Sequence, residues 1–367
     1  MENTTINRLP VKTWRYLKIN QTTAELPDAS SGSAEICSFS GITAETVDFA
    51  DELGKIASRI GDVRRESFVA GKEPIYGAQS LISGMGADAD GYLAQSGAYS
   101  LRITADESYD SGNTVDIKAS GVCALFIRAD AGQKLRIRID ADEADFLSVR
   151  IIAGSGSDTG LRISHFGGGR DSFFCDIGGY LEADARMELR QIALDSKKIF
   201  LGTGIELAGD RSAFDGSLAY LRSGGELEDI NYDIIQRGRA TESVYDVKGV
   251  LFAGGEKTLR DTIDFRRGAA GSKASEQENV LLAESDESGI INRSIPLILC
   301  EEEDVDGRHG AAIGRMDPDV LVYMSSRGFD AEEAKKLLIR GHIGSVARAV
   351  GETQASRADE YLDRLLK

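Results

Sequence analysis

The chain has 367 residues, with 41 glycines, 5 prolines and 7% aromatics. That length holds either two average domains or one large β architecture, and the glycine-rich, aromatic-poor balance suits many short strands better than a helical bundle. A formal charge of −17 argues against nucleic acid and anionic membrane as partners, because nothing in the composition offsets repulsion from phosphate.

The opening stretch, MENTTINRLPVKTWRYLKIN, lacks the apolar core of about 7–15 residues that a secretion signal needs. No later run approaches the roughly 18 apolar residues of a membrane span, so a cytoplasmic protein is expected. Residues 1–85 mix helical and loop signals. Helix formers with apolar residues every three or four positions predict a helix over Thr43–Leu53, whereas Ser30–Gly32 and Gly84–Gly91 read as flexible connectors.

From about Tyr92 the period changes to two, and strand signals last to about Cys300. Tyr99/Leu101/Ile103, Leu135/Ile137/Ile139, Leu147/Val149/Ile151 and Leu161/Ile163 alternate with polar residues, and glycine-rich clusters such as Gly154–Gly156 and Gly167–Gly169 separate the runs. Two hundred residues of strand signal without a helical interruption exceed an ordinary sandwich, whereas a solenoid of short strands grows without limit. The coil period is irregular. Residues 86–312 are therefore read as a β-helix core and 313–367 as a helical region. There Asp317-Pro318 fits an N-cap followed by proline, Gly328 a C-terminal stop, and Asp330 with Glu333 a capping box. Ala334, Leu337, Leu338, Gly341 and His342 would share one face of the second helix, and Gln354–Lys367 form a third.

The four cysteines (Cys37, Cys123, Cys175, Cys300) are scattered with no C-x-x-C pair, which argues against structural zinc and disulfides; Cys123 and Cys175 read as buried small hydrophobes. The acidic run Glu301–Asp306 reads as a solvated strand end, although such oxygen-rich runs also attract hard cations. Gly202-Thr203-Gly204 lacks the third glycine of a dinucleotide fingerprint and reads as a strand turn. No phosphate-binding loop, G-x-S-x-G elbow or H-E-x-x-H pair is present.

The passage PLILCEEEDVDGRHGAAIGRMDPDVLVYMSSRG (Pro296–Gly328) resembles the closing segment of the SufB/SufD family of iron–sulfur cluster assembly proteins, SufD above all. His309-Gly310-Ala311-Ala312-Ile313-Gly314 matches the family's HGATVG, read here as a turn, and Tyr323–Gly328 matches YLRSRG. Gly249-Val250-Leu251, Gly268-Ala269, Glu276-Gln277 and Leu281-Leu282 fall in the family's order. Leu9-Pro10 and Thr13-Trp14-Arg15-Tyr16 are similar to its LP…W(R/K)Y opening. One departure is clear: the family's cysteine two residues before the histidine is Gly307 here. Cys300 lies seven positions earlier, an odd offset that would face it the other way on one strand.

The resemblance implies a mainly β fold, a right-handed parallel β-helix with helical regions at both ends. It also implies a non-catalytic scaffold subunit of the SUF system. Such a subunit would pair its β-helix edge with a SufB-like chain or with itself, and dock a SufC-type ATPase through its C-terminal helices. Tyr323, Arg327, Gly328, Leu337 and Leu338 are the partner-binding candidates. His309 is the metal candidate, an imidazole for iron or a transient cluster shared with the partner subunit, with no cofactor held tightly. A histidine that fixes the local backbone through a carbonyl is the alternative for His309; His165 and His342 are expected to be structural or exposed. Two other functions stay open at this stage, a β-helix enzyme acting on polysaccharide through paired carboxylates and a SufB-like homodimeric scaffold.

Overall fold

The computed structural model describes residues 3–11, 18–28, 31–37, 41–67, 83–106, 109–110, 112–283 and 289–366. The Thr13–Tyr16 part of the opening motif lies outside them, as does Ser30. Alternation of apolar and polar residues becomes β5 (Tyr99–Ala105), β6 (Val115–Ala129), β7 (Lys134–Ala153), β8 (Asp158–Leu181) and β9 (Arg186–Leu207), each parallel to the next. The inward residues Leu135, Ile137, Ile139, Leu147, Val149, Ile151, Leu161 and Ile163 all belong to one buried core.

β7, β8 and β9 each run along both walls of a coil and bend in the middle. In β8 the bend falls between Phe166 and Arg170, where the register with β9 shifts. Gly168 and Gly169 take φ of 61° and 82° there, a left-handed backbone that side-chain-bearing residues rarely adopt. After β9 the walls separate. β10 (Ala213–Arg222), β12 (Glu242–Leu251), β14 (Ser272–Leu282) and β16 (Val305–Arg315) stack on its first half, while β11 (Leu227–Gln236), β13 (Glu256–Phe265) and β15 (Ile291–Cys300) stack on its second. The result is a parallel β-solenoid of about six turns. The irregular period has a simple cause, because coils differ in loop length. Lys134 pairs with Asp158, 24 positions on, but Glu256 pairs with Ile291, 35 positions on.

Helices cover the two outer faces. On one, β1 (Asn3–Ile6) and β2 (Thr22–Glu25) pack with α1 (Phe49–Ser67) and α2 (Ala87–Ser96) over Phe126, Phe146, Phe174 and Phe200. Short antiparallel strands β3 (Ser33–Ile36) and β4 (Ile42–Thr46) join the sheet at β6 and β5. Two expectations fail in this region. Ile42–Thr46 is a strand, because pairing with β5 overrides the helix propensity of Thr-Ala-Glu-Thr, and the helix begins at Phe49. Residues 87–91, read as a connector, start α2. Glycines 202 and 204 lie within β9, not in a turn. A Cβ on Gly202 would sit 2.5 Å from the Met85 nitrogen, so the glycine admits the close backbone pass of Ser83–Met85.

On the opposite face lie α4 (Ala331–Val350) and α5 (Glu352–Leu365), preceded by α3 (Pro318–Ser326). Asp317 caps α3 and Asp330 with Glu333 forms a complete capping box on α4. The buried stripe of α4 is Ala334, Ile339, Ile343, Val346, Ala347 and Val350, set on Ile192, Leu194, Ala219, Leu221, Val250 and Phe252. Leu337 is exposed and Leu338 half-buried, so the expected face is rotated. These helices do not cap the end of the solenoid. They flank its side, and among the described residues β15 and β16 each pair on one edge alone.

Candidate functional site at the open end of the solenoid

In the last coils the interior changes character. Inward positions that carry leucine and isoleucine in β7 and β8 carry Lys257 and Asp261 in β13, Glu276 and Glu278 in β14, and His309 in β16. His309-Gly310 is thus mid-strand and not a turn, because Val305–Arg315 pairs continuously with β14. The register places Tyr245, Glu276 and His309 on successive coils of one wall, and Tyr232, Asp261 and Pro296 on the other. Tyr232 and Tyr245 stack with ring centroids 3.4 Å apart, an apolar floor beneath a carboxylate pair, with the imidazole above them at the mouth.

His309 Nδ1 lies 3.3 Å from Glu276 Oε2 and 3.4 Å from Asp261 Oδ2. Neither contact has hydrogen-bonding geometry: Nδ1, both Glu276 carboxylate oxygens and Asp261 Oδ1 are buried without a hydrogen-bond partner. His309 Nε2 is 3.3 Å from the Leu297 carbonyl oxygen. A carbonyl only accepts, so Nε2 carries the proton and donates, and Nδ1 is left to face the carboxylates. Burial, followed by the negative charge of Asp261, pushes the Glu276 carboxyl well above its usual range. The interior cation on β13, Lys257, is engaged by Glu278, by Ser294 Oγ at 3.0 Å and by the Arg293 carbonyl at 3.2 Å.

Asp261, Glu276 and His309 each bring one ligand atom to within 4.8 Å of the others. Two oxygens and one nitrogen suit a divalent first-row ion, not a thiolate-held cluster. The nearby thiol does not enlarge the set: Cys300 ends β15 on the other wall, with its Sγ donating to the Glu302 carbonyl at 2.9 Å. The two residues belong to different strands, so the odd seven-residue offset from Gly307 does not decide their facing. Gly307 itself faces inward, where an added Cβ would meet Phe265 Cε2 at 2.8 Å. The sequence singles out neither Asp261 nor Glu276 as a site residue, and Glu276 enters it only through the family's residue order. The signal that finds them is carboxylates at inward parity.

The remaining candidates fall elsewhere. Tyr323 is exposed at the end of α3 with the Arg327 guanidinium 5.1 Å from its ring centre. Gly328 takes φ 94° as the helix terminates, and Leu337 projects from α4. None of these is near the carboxylate pair in sequence or on its strands. His165 is wholly buried, hydrogen-bonded to the Ala141 carbonyl and to Ser196 Oγ, and burial pushes it down to about 3. His342 donates to the Asn279 carbonyl at 3.0 Å and ties α4 to β14. Cys123 and Cys175 are buried free thiols. In the acidic run, Glu302 accepts from the Gly268 and Glu303 amides and closes a turn.

Fold and site together define a parallel β-solenoid flanked by helices, whose last coil is uncovered among the described residues and carries a cluster of polar donors. Residues 118–342 match the family described as SUF system FeS cluster assembly, SufBD core domain. The chain therefore belongs to the SufB/SufD family. It is 31% identical over 140 residues to the iron–sulfur cluster assembly protein SufD of Bacillus subtilis, a stretch covering 38% of this chain and 31% of that one. A SufBD family protein of Mycobacterium leprae is 25% identical over 170 residues, 46% of this chain and 19% of its own length. One from Staphylococcus haemolyticus is 23% identical over 145 residues, 40% and 29% respectively. The aligned stretches span less than a third of these relatives. Among the described residues, no helix is long and apolar enough to cross a membrane.

Proposed function

We propose that the chain is a SufD-like, non-catalytic, cytoplasmic scaffold subunit of iron–sulfur cluster assembly that pairs end to end with a SufB-like subunit and docks a SufC-type ATPase. The observation that carries the pairing is the uncovered end. Ile298 on β15 and Ile313 on β16 face the solenoid interior, yet are 41% and 51% exposed, and the free backbone edges of both strands are templates for another chain. A core cut open in this way is what an added coil or a partner's end would complete.

The ATPase surface is assigned to α3 and α4. Val322, Tyr323, Phe329 and Leu337 are exposed there, beside a groove lined by Leu282, Met316, Leu321 and Ala334. Contiguous exposed apolar side chains of this kind mark interaction surfaces. His309 supplies a ligand for iron or for a cluster passed between subunits, which is cargo and not a tightly held cofactor. A polysaccharide-cleaving role draws no support, because the paired carboxylates Asp261 and Glu276 lie inside the solenoid, not along an outer groove.

Coexpression with the SufC-type ATPase and SufB-like chain of the same organism tests the reading. Removing residues 317–367 would strip the α4–α5 cover from the sheet, so point changes are preferred. Val322→Asp with Leu337→Asp should release the ATPase and leave the SufB-like partner bound. A chain that associates with neither protein would overturn the proposal, and recovery of a homodimer alone would favour the self-paired scaffold.

A further inference from the structure

We infer that Asp261, Glu276 and His309 form a binding site for a single divalent metal ion, of the iron(II) or manganese(II) class, held by this chain alone. The inference rests on the reading of His309 as a metal ligand and adds two carboxylates to it.

Three independent features point to a cation. Glu276 has a side chain only 3% exposed, and neither of its oxygens accepts a hydrogen bond. Desolvating a carboxylate without a partner costs several kcal/mol, so such groups are paired or bind metal. Asp261 stands beside it, with its own Oδ1 buried and unpartnered. Two ionised carboxylates and a lone-pair nitrogen facing one another repel, so the cluster needs a proton or a cation among its members, and a cation engages all three at once. The chain's own candidate, Lys257, is already bound to Glu278.

The second feature is the imidazole's orientation. Donation from Nε2–H to the Leu297 carbonyl is the outer contact that metal-bound histidines make, and it turns the free Nδ1 towards the acids. The third is spacing. Ligand bonds of about 2.1 Å put ligand atoms roughly 3.0 Å apart in cis octahedral geometry and about 3.4 Å apart in a tetrahedron. The separations here are 3.3 and 3.4 Å. His309 and Asp261 retain 15% and 11% side-chain exposure, so an ion can enter from the mouth. Three protein donors leave at least one position for water, sulfide or a ligand from a partner subunit.

Anaerobic equilibrium dialysis of the purified chain against Fe(II), with Mn(II) binding followed separately by loss of the free-ion EPR signal, tests the site. One ion per chain is expected. Glu276→Gln, Asp261→Asn and His309→Gln should each weaken binding by at least the roughly 10–100-fold that loss of an outer-shell partner causes. Circular dichroism and thermal unfolding establish that each variant is folded, and the two carboxamide changes are near-isosteric. Wild-type protein that binds neither ion overturns the inference. So does full binding by folded Glu276→Gln and Asp261→Asn when only His309→Gln fails, an outcome that leaves His309 as a ligand in a different site. Assembly with the SufB-like chain and the ATPase is a separate measurement, so its failure is distinguishable from failure here.

Discussion

Replacing Ile298 and Ile313 by aspartate should separate association from folding. Full burial of an isoleucine side chain is worth about 1.5–3 kcal/mol. With 41% and 51% of these residues still exposed, a partner that covers the solenoid end gains roughly half of that from each, or about 1.5–3 kcal/mol from the pair. The affinity loss for the double variant is then at least about 10-fold and up to roughly 150-fold. A charge on the β16 edge adds to it, because edge charges oppose strand addition.

The isolated chain should lose no more than the half of each side chain it already buries, about 1.5–3 kcal/mol for the pair. Sedimentation velocity or light scattering against the SufB-like subunit measures the first effect and thermal unfolding the second. Val244→Asp serves as control, because Val244 is 50% exposed on the outward side of β12 and should change neither quantity. Unaltered affinity in the double variant would refute the end-to-end geometry. A stability loss well above about 3 kcal/mol would show that the end is closed core, and the argument from exposure would fail with it.

In metal-free buffer, Glu276→Gln should stabilise the chain at pH 7–8, because the amide cannot ionise and avoids the penalty of a desolvated charge beside Asp261. The folded-state pKa of Glu276 lies above its unfolded value, so its ionisation works against the fold above the unfolded pKa, and the advantage should fade as pH falls towards about 4.5. Equal unfolding midpoints of the two proteins across that range would contradict this. Gly202→Ala should cost about 1–3 kcal/mol or more in denaturant midpoint, because its Cβ meets backbone at 2.5 and 2.6 Å. Gly314→Ala, with nothing within 4 Å, should be neutral. A thiol reagent should titrate Cys37 and Cys300 quickly and the buried Cys123 and Cys175 only on unfolding, since burial pushes both inner thiols up.

Local signals were the most legible. The Asp317 cap and the Asp330–Glu333 box depend on three or four neighbouring residues, and both formed as read. Period-two alternation found the inward residues of β5, β7 and β8 for the same reason. What depends on pairing across a coil was not legible. Thr43–Thr46 has helical composition, but Glu45 is drawn into β4 opposite Arg102. His309-Gly310 looks like a turn until β14 supplies its ladder. Asp261 and Glu276 are 15 positions apart in sequence and 48 and 33 from His309, and coils of 24 to 35 residues give no fixed spacing from which to infer that they meet. Their polarity also misleads, since alternation assigns carboxylates to solvent when these two face inward.

Gly307 and the three donors are two aspects of one arrangement. The family pattern has a cysteine at this position, and its side chain would point into the solenoid. In this chain that direction is filled by Phe265, wholly buried with Ile263 and Ala274, whose ring edge would lie 2.8 Å from a new Cβ. A thiol could return only if the ring moved. The soft donor is therefore excluded by packing, while two residues further along the same inward row the imidazole meets two carboxylates. Softness of the donor set decides which metal species a site retains. The proposed set of two oxygens and one nitrogen favours single hard or borderline ions over cluster ligation, and Ile298, Ile313 and the free edges stay available to the partner proposed above.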